Sequence, residues 1–205
     1  VVDDNSPDQT AKIVKRLQRK NSRLYLIERE FKEGLGPALI SGFNFALKNN
    51  FTFVVQMDAD FSHDPQMIPV LVGLTEGKYW TIGSRYIRGG RIQGWVGKRL
   101  FLSWLGNFYT KLILGFKIKD WTSGFCCWPK KILKKFNLQR VGFPNGYAFQ
   151  IAIKYQACQA GFEPIEIPII FRERRRGKSK MGGGIINEAA ISVLRLRLNK
   201  KNSRQ

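Results

Sequence analysis

Along this chain, apolar runs of strand length take turns with segments whose apolar residues recur at helical spacing. "FTFVVQMD" (residues 51–58) is β-branched, aromatic and apolar enough for burial on both faces, which predicts an interior strand. "RLYLIERE" (23–30) predicts a shorter strand before it, and "YWTIGSRY" (79–86) another after it. "GLGPALISGFNFALKNN" (34–50) opens on a glycine-rich turn, then sets Ala38, Phe43, Ala46 and Leu47 near helical spacing. "DPQMIPVLVGLTEG" (64–77) begins at an Asp-Pro capping signal and runs as a helix toward Gly77. "VVDDNSPDQTAKIVKRLQRK" (1–20) reads as a strand end, an acidic turn and a helix capped by Ser6 or Asp8, with Pro7 in its first turn. Strands and helices in alternation predict a three-layer α/β sandwich whose central sheet is mostly parallel.

Past residue 86 the rhythm changes. "IRGGRIQGW" (87–95) is a glycine-rich basic loop, and "VGKRLFLSWLGNFYTKLIL" (96–114) is a long helix with a broad apolar side. "DWTSGFCCWPKKILKKF" (120–136) is a loop or strand leading into a basic helix, and "GYAFQIAIKYQACQAG" (146–161) is a helix that stops at Gly161. "EPIEIPIIFRERRRGKSKMGGG" (163–184) is an edge-like strand entering a strongly basic loop. "IINEAAISVLRLRL" (185–198) is an amphipathic helix. With no repeat or linker, the pattern predicts one domain over 1–183 and a basic helix and tail over 184–205. The chain opens as if inside a strand, without Met, so a strand and a helix are expected to precede Val1.

Charge adds a partner class. Thirty-five Lys and Arg against fifteen Asp and Glu give a formal net charge of +20, which calls for a polyanion: nucleic acid, an anionic membrane or phosphorylated substrates. The three cysteines, Cys126, Cys127 and Cys158, make no framework, and the reading is a reducing compartment. A single histidine, His63, argues against a histidine metal site or a Ser-His-Asp triad. No apolar run reaches the roughly 18 to 20 residues of a membrane span.

In so basic a chain, clustered acids are informative. Asp58 and Asp60 follow the most apolar strand one residue apart, so they point the same way if the strand continues. Ligands of open α/β sheets sit beyond the carboxyl ends of the strands, where Asp3 and Asp4 also fall. Carboxylates gathered at one rim repel unless a cation holds them, and a divalent ion bridging substrate phosphates is the economical explanation. The plain alternative is that Asp58 starts a turn and Asp64 caps a helix.

"VVDDNSPDQT", "GLGPALISG", "QMDADFSHDP", "GSRY", "KRLFLS", "DWTSGF" and "FRERRRGKSKMGG" occur in this order across the chain. Together they resemble the family 2 glycosyltransferases of the Rossmann-like GT-A fold, and within them the branch that moves mannose from GDP-mannose to dolichyl or polyprenyl phosphate. The family's opening P-x-Y-N-E strand motif is absent. The resemblance gives Val2 and Asp4 to the nucleobase pocket, Asp58, Ala59 and Asp60 to ribose, pyrophosphate and metal, and Mg²⁺ or Mn²⁺ to Asp60 and Asp58. Ser62 stands where some members carry an amide. It places Arg85 near phosphate, Arg99 and Ser103 on the lipid phosphate, and Asp120 near the active site, with Cys126 where the family commonly has Arg. It gives Arg174 and Lys180 to a basic loop over the nucleotide phosphates.

The mechanism so implied needs no general base. The acceptor phosphate is already anionic, attacks opposite GDP and inverts the anomeric centre, with Asp60, Arg85 and Arg99 as the catalytic set. The apolar residues beside cations in 104–116 and 185–201 suit an anionic membrane surface, or else pack on the core. The protein is then peripheral at the cytosolic face of a cytoplasmic or endoplasmic reticulum membrane, or held there by a small membrane-anchoring subunit, with no nucleic-acid partner. Three readings compete: a polyprenyl-phosphate glucose synthase using UDP-glucose, a basic nucleic-acid-binding module, and an inactive scaffold.

Overall fold

The structure is a computed structural model that describes residues 1–136, 146, 148–174 and 183–202, with side chains of the last helix described over 187–198. Among the described residues, eight short strands and seven α-helices follow one another as β1 (Val2–Asp3), α1 (Thr10–Gln18), β2 (Ile27–Glu28), α2 (Leu35–Lys48), β3 (Phe53–Gln56), α3 (Ile68–Gly73), β4 (Tyr79–Ser84), β5 (Arg91–Gln93), α4 (Gly97–Leu114), β6 (Cys126–Pro129), α5 (Lys130–Lys135), α6 (Ala148–Gln159), β7 (Glu163–Pro168), β8 (Ile170–Arg172) and α7 (Gly183–Asn202).

The central sheet has the order β3-β6-β4-β7. Strands β4 and β7 pair in parallel from Tyr79↔Glu163 to Ser84↔Pro168. The mostly parallel sheet expected from the pattern is found, with β3, β4 and β7 running one way and β6 alone antiparallel to its neighbours, β3 and β4. Helix α4 comes between β4 and β6 in the chain. The chain leaves α4, passes Gly115 at φ 77° and returns through the 120–125 segment, so an antiparallel insertion is the short path. Two further parallel pairs flank the sheet, β1 with β2 and β5 with β8. Strand β5 lies in the stretch read as a loop at 87–95.

Buried aromatics fix the layers. Trp80 of β4 and Trp128 of β6 stack at 4.3 Å between centroids, both without solvent exposure. Phe43 of α2, Leu114 of α4, Phe149 and Ile153 of α6 and Val193 of α7 close on the same core. Leu71 of α3 covers the other face with Phe125, Cys127 and Ile167. Helix α7 packs against α4 and α6. The expected cap of α1 is shifted by a residue: Asp8 accepts from the Thr10 amide and hydroxyl, while Gln9 takes the cap position at φ 64°. Asp64 caps the single turn 65–67 through the Gln66 amide, the plain role foreseen for it.

Candidate active site

Strand β3 stops at Gln56, so the strand does not carry Asp58 and Asp60 to one side as the spacing suggested. A loop gathers them instead. The Ser62 amide donates to Asp60 Oδ1 at 3.0 Å, and Phe61 adopts φ 63° to allow that closure. The Asp58 amide donates to His63 Nδ1 at 3.2 Å. His63 is buried between rings, stacked on Phe125 at 5.0 Å and edge-on to Phe171 at 5.5 Å. The one histidine is thus an acceptor that pins the backbone of the acidic loop, a role sequence reasoning missed.

Asp58 is crowded by protein although its surface still opens to solvent. That crowding, and then the charge of Asp60, push its carboxyl above the usual range, while Arg174 and Arg85 pull the other way. A carboxyl pushed up by a neighbouring carboxylate's charge fits a divalent cation, whose charge relieves the repulsion. Among the described residues no three or more His, Cys, Asp and Glu gather in a metal-sized group. A site of two carboxylates completed by substrate phosphates is the common pattern for Mg²⁺. Asp3 and Asp4 are otherwise engaged: Asp3 accepts from the Ser6 amide, and Asp4 holds Arg29 at 2.6 Å and the Gly34 amide at 3.0 Å. Val2 sits half-buried beside them on β1, and Ala59 is exposed between the two loop acids.

Burial keeps His63 neutral. Its surroundings, and then the charge of Arg85, lower its pKa from 6.5 to about 4. Below pH 6.5 the unfolded chain takes up a proton that the folded chain refuses, so this group's contribution falls from pH 6.5 to about 4, by about 3 kcal/mol in all, and rises again with pH. Proton NMR of this sole histidine should show an inflection near 4 and none near 6.5.

Arg85 ends up just past β4, buried, and its guanidinium is gripped by Asp120. Nε donates to Oδ2 at 2.8 Å and Nη2 to Oδ1 at 2.7 Å, while the Arg85 amide also reaches Oδ2 at 2.9 Å. Nη2 reaches the Thr122 hydroxyl as well, at 2.7 Å. Burial opposes both charges, yet Asp120 holds Arg85 above its ordinary value and Arg85 holds Asp120 below its own. The segment carrying Asp120 is clamped from two sides. Glu166 accepts from the Lys119 and Asp120 amides at 2.9 Å each. The buried ammonium of Lys154 donates to the carbonyls of Asp120, Trp121 and Ser123 at 3.2, 2.8 and 2.7 Å. Cys126, where the resemblance leads one to expect Arg, is a buried thiol beside that ammonium, pushed up to about 11 by burial.

Asp58, Arg85, Arg99, Ser103, Thr122 and Arg174 line one cavity of about 410 Å³. Beyond them its walls turn apolar between α4, α6 and α7, at Leu102, Leu105, Ile151 and Val193. Arg99 and Ser103 do share a helix face, as their spacing implied. The Arg99 guanidinium carbon lies 3.9 Å from the centroid of Trp95, and that of Arg85 lies 5.7 Å from the same ring. Ser103 Oγ accepts from the Tyr86 hydroxyl at 2.7 Å. Arg174 Nε stands 3.8 Å from Asp60 Oδ2. Lys180 lies outside the described residues. Trp95, Thr122, Tyr86 and Phe171 were not expected here. The last reaches the cavity on β8, whose pairing with β5 no local signal announces.

Asp58 thus lines the pocket with Arg85, Arg99 and Arg174, and Asp60 stands beside Arg174 outside that lining. The profile of glycosyl transferase family 2 matches residues 1–142. The chain belongs to glycosyl transferase family 2. It is 39% identical over 195 residues to polyprenol monophosphomannose synthase of Mycolicibacterium smegmatis, covering 94% of this chain and 73% of that protein. It is 35% identical over 195 residues to undecaprenyl-phosphate mannosyltransferase of Micrococcus luteus, covering 95% and 80%. In structure it is similar to glucosyl-3-phosphoglycerate synthase of Mycobacterium tuberculosis bound to UDP, with TM-score 0.62, 19% identity and coverage of 96% and 68%. The same synthase bound to Mn²⁺, UDP-glucose and phosphoglyceric acid gives TM-score 0.64 at 18% identity, over 96% and 67%. The GT-A fold expected from the motifs is thereby established.

Proposed function

We propose that this glycosyltransferase moves mannose from GDP-mannose to a polyprenyl phosphate such as dolichyl phosphate, giving the β-linked lipid sugar. The observation that carries the reading is the cavity itself, with charge at one end and apolar walls at the other. An acceptor with a phosphate head and an isoprenoid tail needs both. The printed activities of the two mannosyltransferase relatives support it.

The acceptor phosphate is anionic near neutral pH, so its oxygen attacks the anomeric carbon without deprotonation. The bond from that carbon to the GDP oxygen breaks, and its electron pair leaves on the pyrophosphate. Attack opposite the leaving group inverts the α-linked donor. Positioning and charge neutralisation are what the protein supplies. Arg99, with the Arg85 Nη1 that Asp120 and Thr122 leave over, receives the attacking phosphate beside Ser103, and Arg174 with Lys180 meets the pyrophosphate. Val2, Asp4, Asp58 and Ala59 hold the nucleoside end. Asp60 and Asp58 would hold Mg²⁺ or Mn²⁺, which when bound neutralises charge on the leaving pyrophosphate. The fold neighbours whose structures contain Mn²⁺ or Mg²⁺ with nucleotide support that choice.

No helix among the described residues is long and apolar enough to cross a membrane. The attachment proposed is peripheral, at the cytosolic face, and rests on an apolar surface. Phe101, Trp104, Leu105, Phe108 and Leu112 form an exposed stripe on α4, beside exposed Ile191, Leu194 and Leu198 of α7, which packs on it. Trp104 and Phe108 stack at 5.5 Å. Replacing both by Ser should weaken binding to vesicles carrying anionic lipid by about tenfold or more per residue, read by sedimentation, because each half-exposed ring has apolar area to bury.

Donor choice is tested by incubating the protein with undecaprenyl phosphate and labelled GDP-mannose or UDP-glucose. Lipid-extractable label from GDP-mannose alone is expected. Label from UDP-glucose alone would reassign the enzyme to glucosyl transfer.

A further inference from the structure

The arginine given to the acceptor phosphate is already paired. Arg99 Nη1 donates to Glu173 Oε1 at 2.5 Å. Trp95 holds the guanidinium from its ring face, and Nε of Arg99 has no hydrogen-bond partner among the described residues. Glu173 is the more exposed partner, 39% against 21% for Arg99, so its carboxylate can swing to solvent while the guanidinium stays in the cavity wall. Its backbone is anchored: the Glu173 amide donates to the Gln93 carbonyl at 3.0 Å. A Cβ on Gly94, at φ 90°, would come within 2.8 Å of the Glu173 Cβ, so the two strand ends are in close contact. A fixed backbone with a displaceable carboxylate, set against a stacked guanidinium, describes a placeholder.

We infer that Glu173 occupies the acceptor-phosphate position on Arg99 and sets the anionic charge an acceptor must bring to displace it. This rests on the reading that Arg99 receives that phosphate. A dianionic phosphate head outcompetes a single carboxylate for a guanidinium, while a monoanion such as acetate does not. Glu173 thereby keeps Arg99 neutralised in the empty site and makes phosphate the anion that opens it.

The test is a set of acceptor kinetics on the whole protein with Glu173→Gln, Arg99→Gln and the double variant. Removing a partly exposed competing ion pair should lower the acceptor KM in Glu173→Gln by about two- to fivefold. The inhibitory concentration of inorganic phosphate should fall by a similar factor, acetate should begin to inhibit, and the KM for GDP-mannose should stay unchanged. In the Arg99→Gln background the Glu173 change should do nothing. A raised acceptor KM in Arg99→Gln with no gain in Glu173→Gln overturns the placeholder and leaves the phosphate role of Arg99 standing. An unchanged acceptor KM in Arg99→Gln removes that role and the inference with it. Thermal melts confirm folding, and Glu173→Ala carries the same expectation, because the anchoring contacts are made by the backbone.

Discussion

Replacing Asp60 by Asn should lower mannosyl transfer by about a thousandfold, the scale of removing a charge that organises stabilisation of the leaving group. Asn keeps an acceptor for the Ser62 amide, so the loop that presents Asp58 and Asp60 survives. It removes the charge that faces Arg174 and helps push the Asp58 carboxyl up. Activity should be regained only in part at high Mn²⁺ or Mg²⁺. A titration of rate against metal concentration, with a melt to show an unchanged fold, checks both statements. Full activity in Asp60→Asn would remove the acid pair from the chemistry.

Asp120→Asn should have the largest effect on stability and weaken acceptor binding as well. Both oxygens of Asp120 are spent on Arg85, and neither residue has appreciable solvent contact. An amide cannot accept on both sides, and it leaves a buried guanidinium without its counter-charge. Breaking such a pair costs about 3–5 kcal/mol, which lowers Tm by roughly 10 °C in a chain of this size. Arg85 then loses the grip that leaves Nη1 over for an acceptor, and the acceptor KM should rise with the fall in stability. Calorimetry together with acceptor kinetics reads both. A variant that melts like the parent and turns over normally would show that Asp120 does not set Arg85.

How far this site could be seen in the sequence differs residue by residue. Asp58 and Asp60 stood out because a basic chain spends two acids directly after its most apolar strand. The reason first given, alternation along a strand, was not the one at work: β3 ends two residues earlier, and a turn through Phe61 does the gathering. Arg99 and Ser103 were legible because helical spacing fixes a shared face whatever the tertiary context. Lys154 was not, since a lysine within a mixed helix ordinarily reads as solvated, and its three carbonyl partners lie more than thirty residues away in the chain. Glu173 was hidden in a run of arginines, where charge looked like plain surface. Strands β5 and β8 have three residues each and pair across a long separation, so neither carries a local pattern. The antiparallel β6 was masked by its composition, Cys-Cys-Trp-Pro, which fits loop and strand alike.

The most direct measurement is the product formed from GDP-mannose with polyprenyl phosphate, set beside the same reaction with the matching polyprenol, and its anomeric configuration by NMR. The cavity's arginines and the absence of any need for a general base predict β-mannosyl product from the phosphate and none from the alcohol. An α-linked product, or equal transfer to the alcohol, would contradict direct attack by an anionic lipid phosphate at this site.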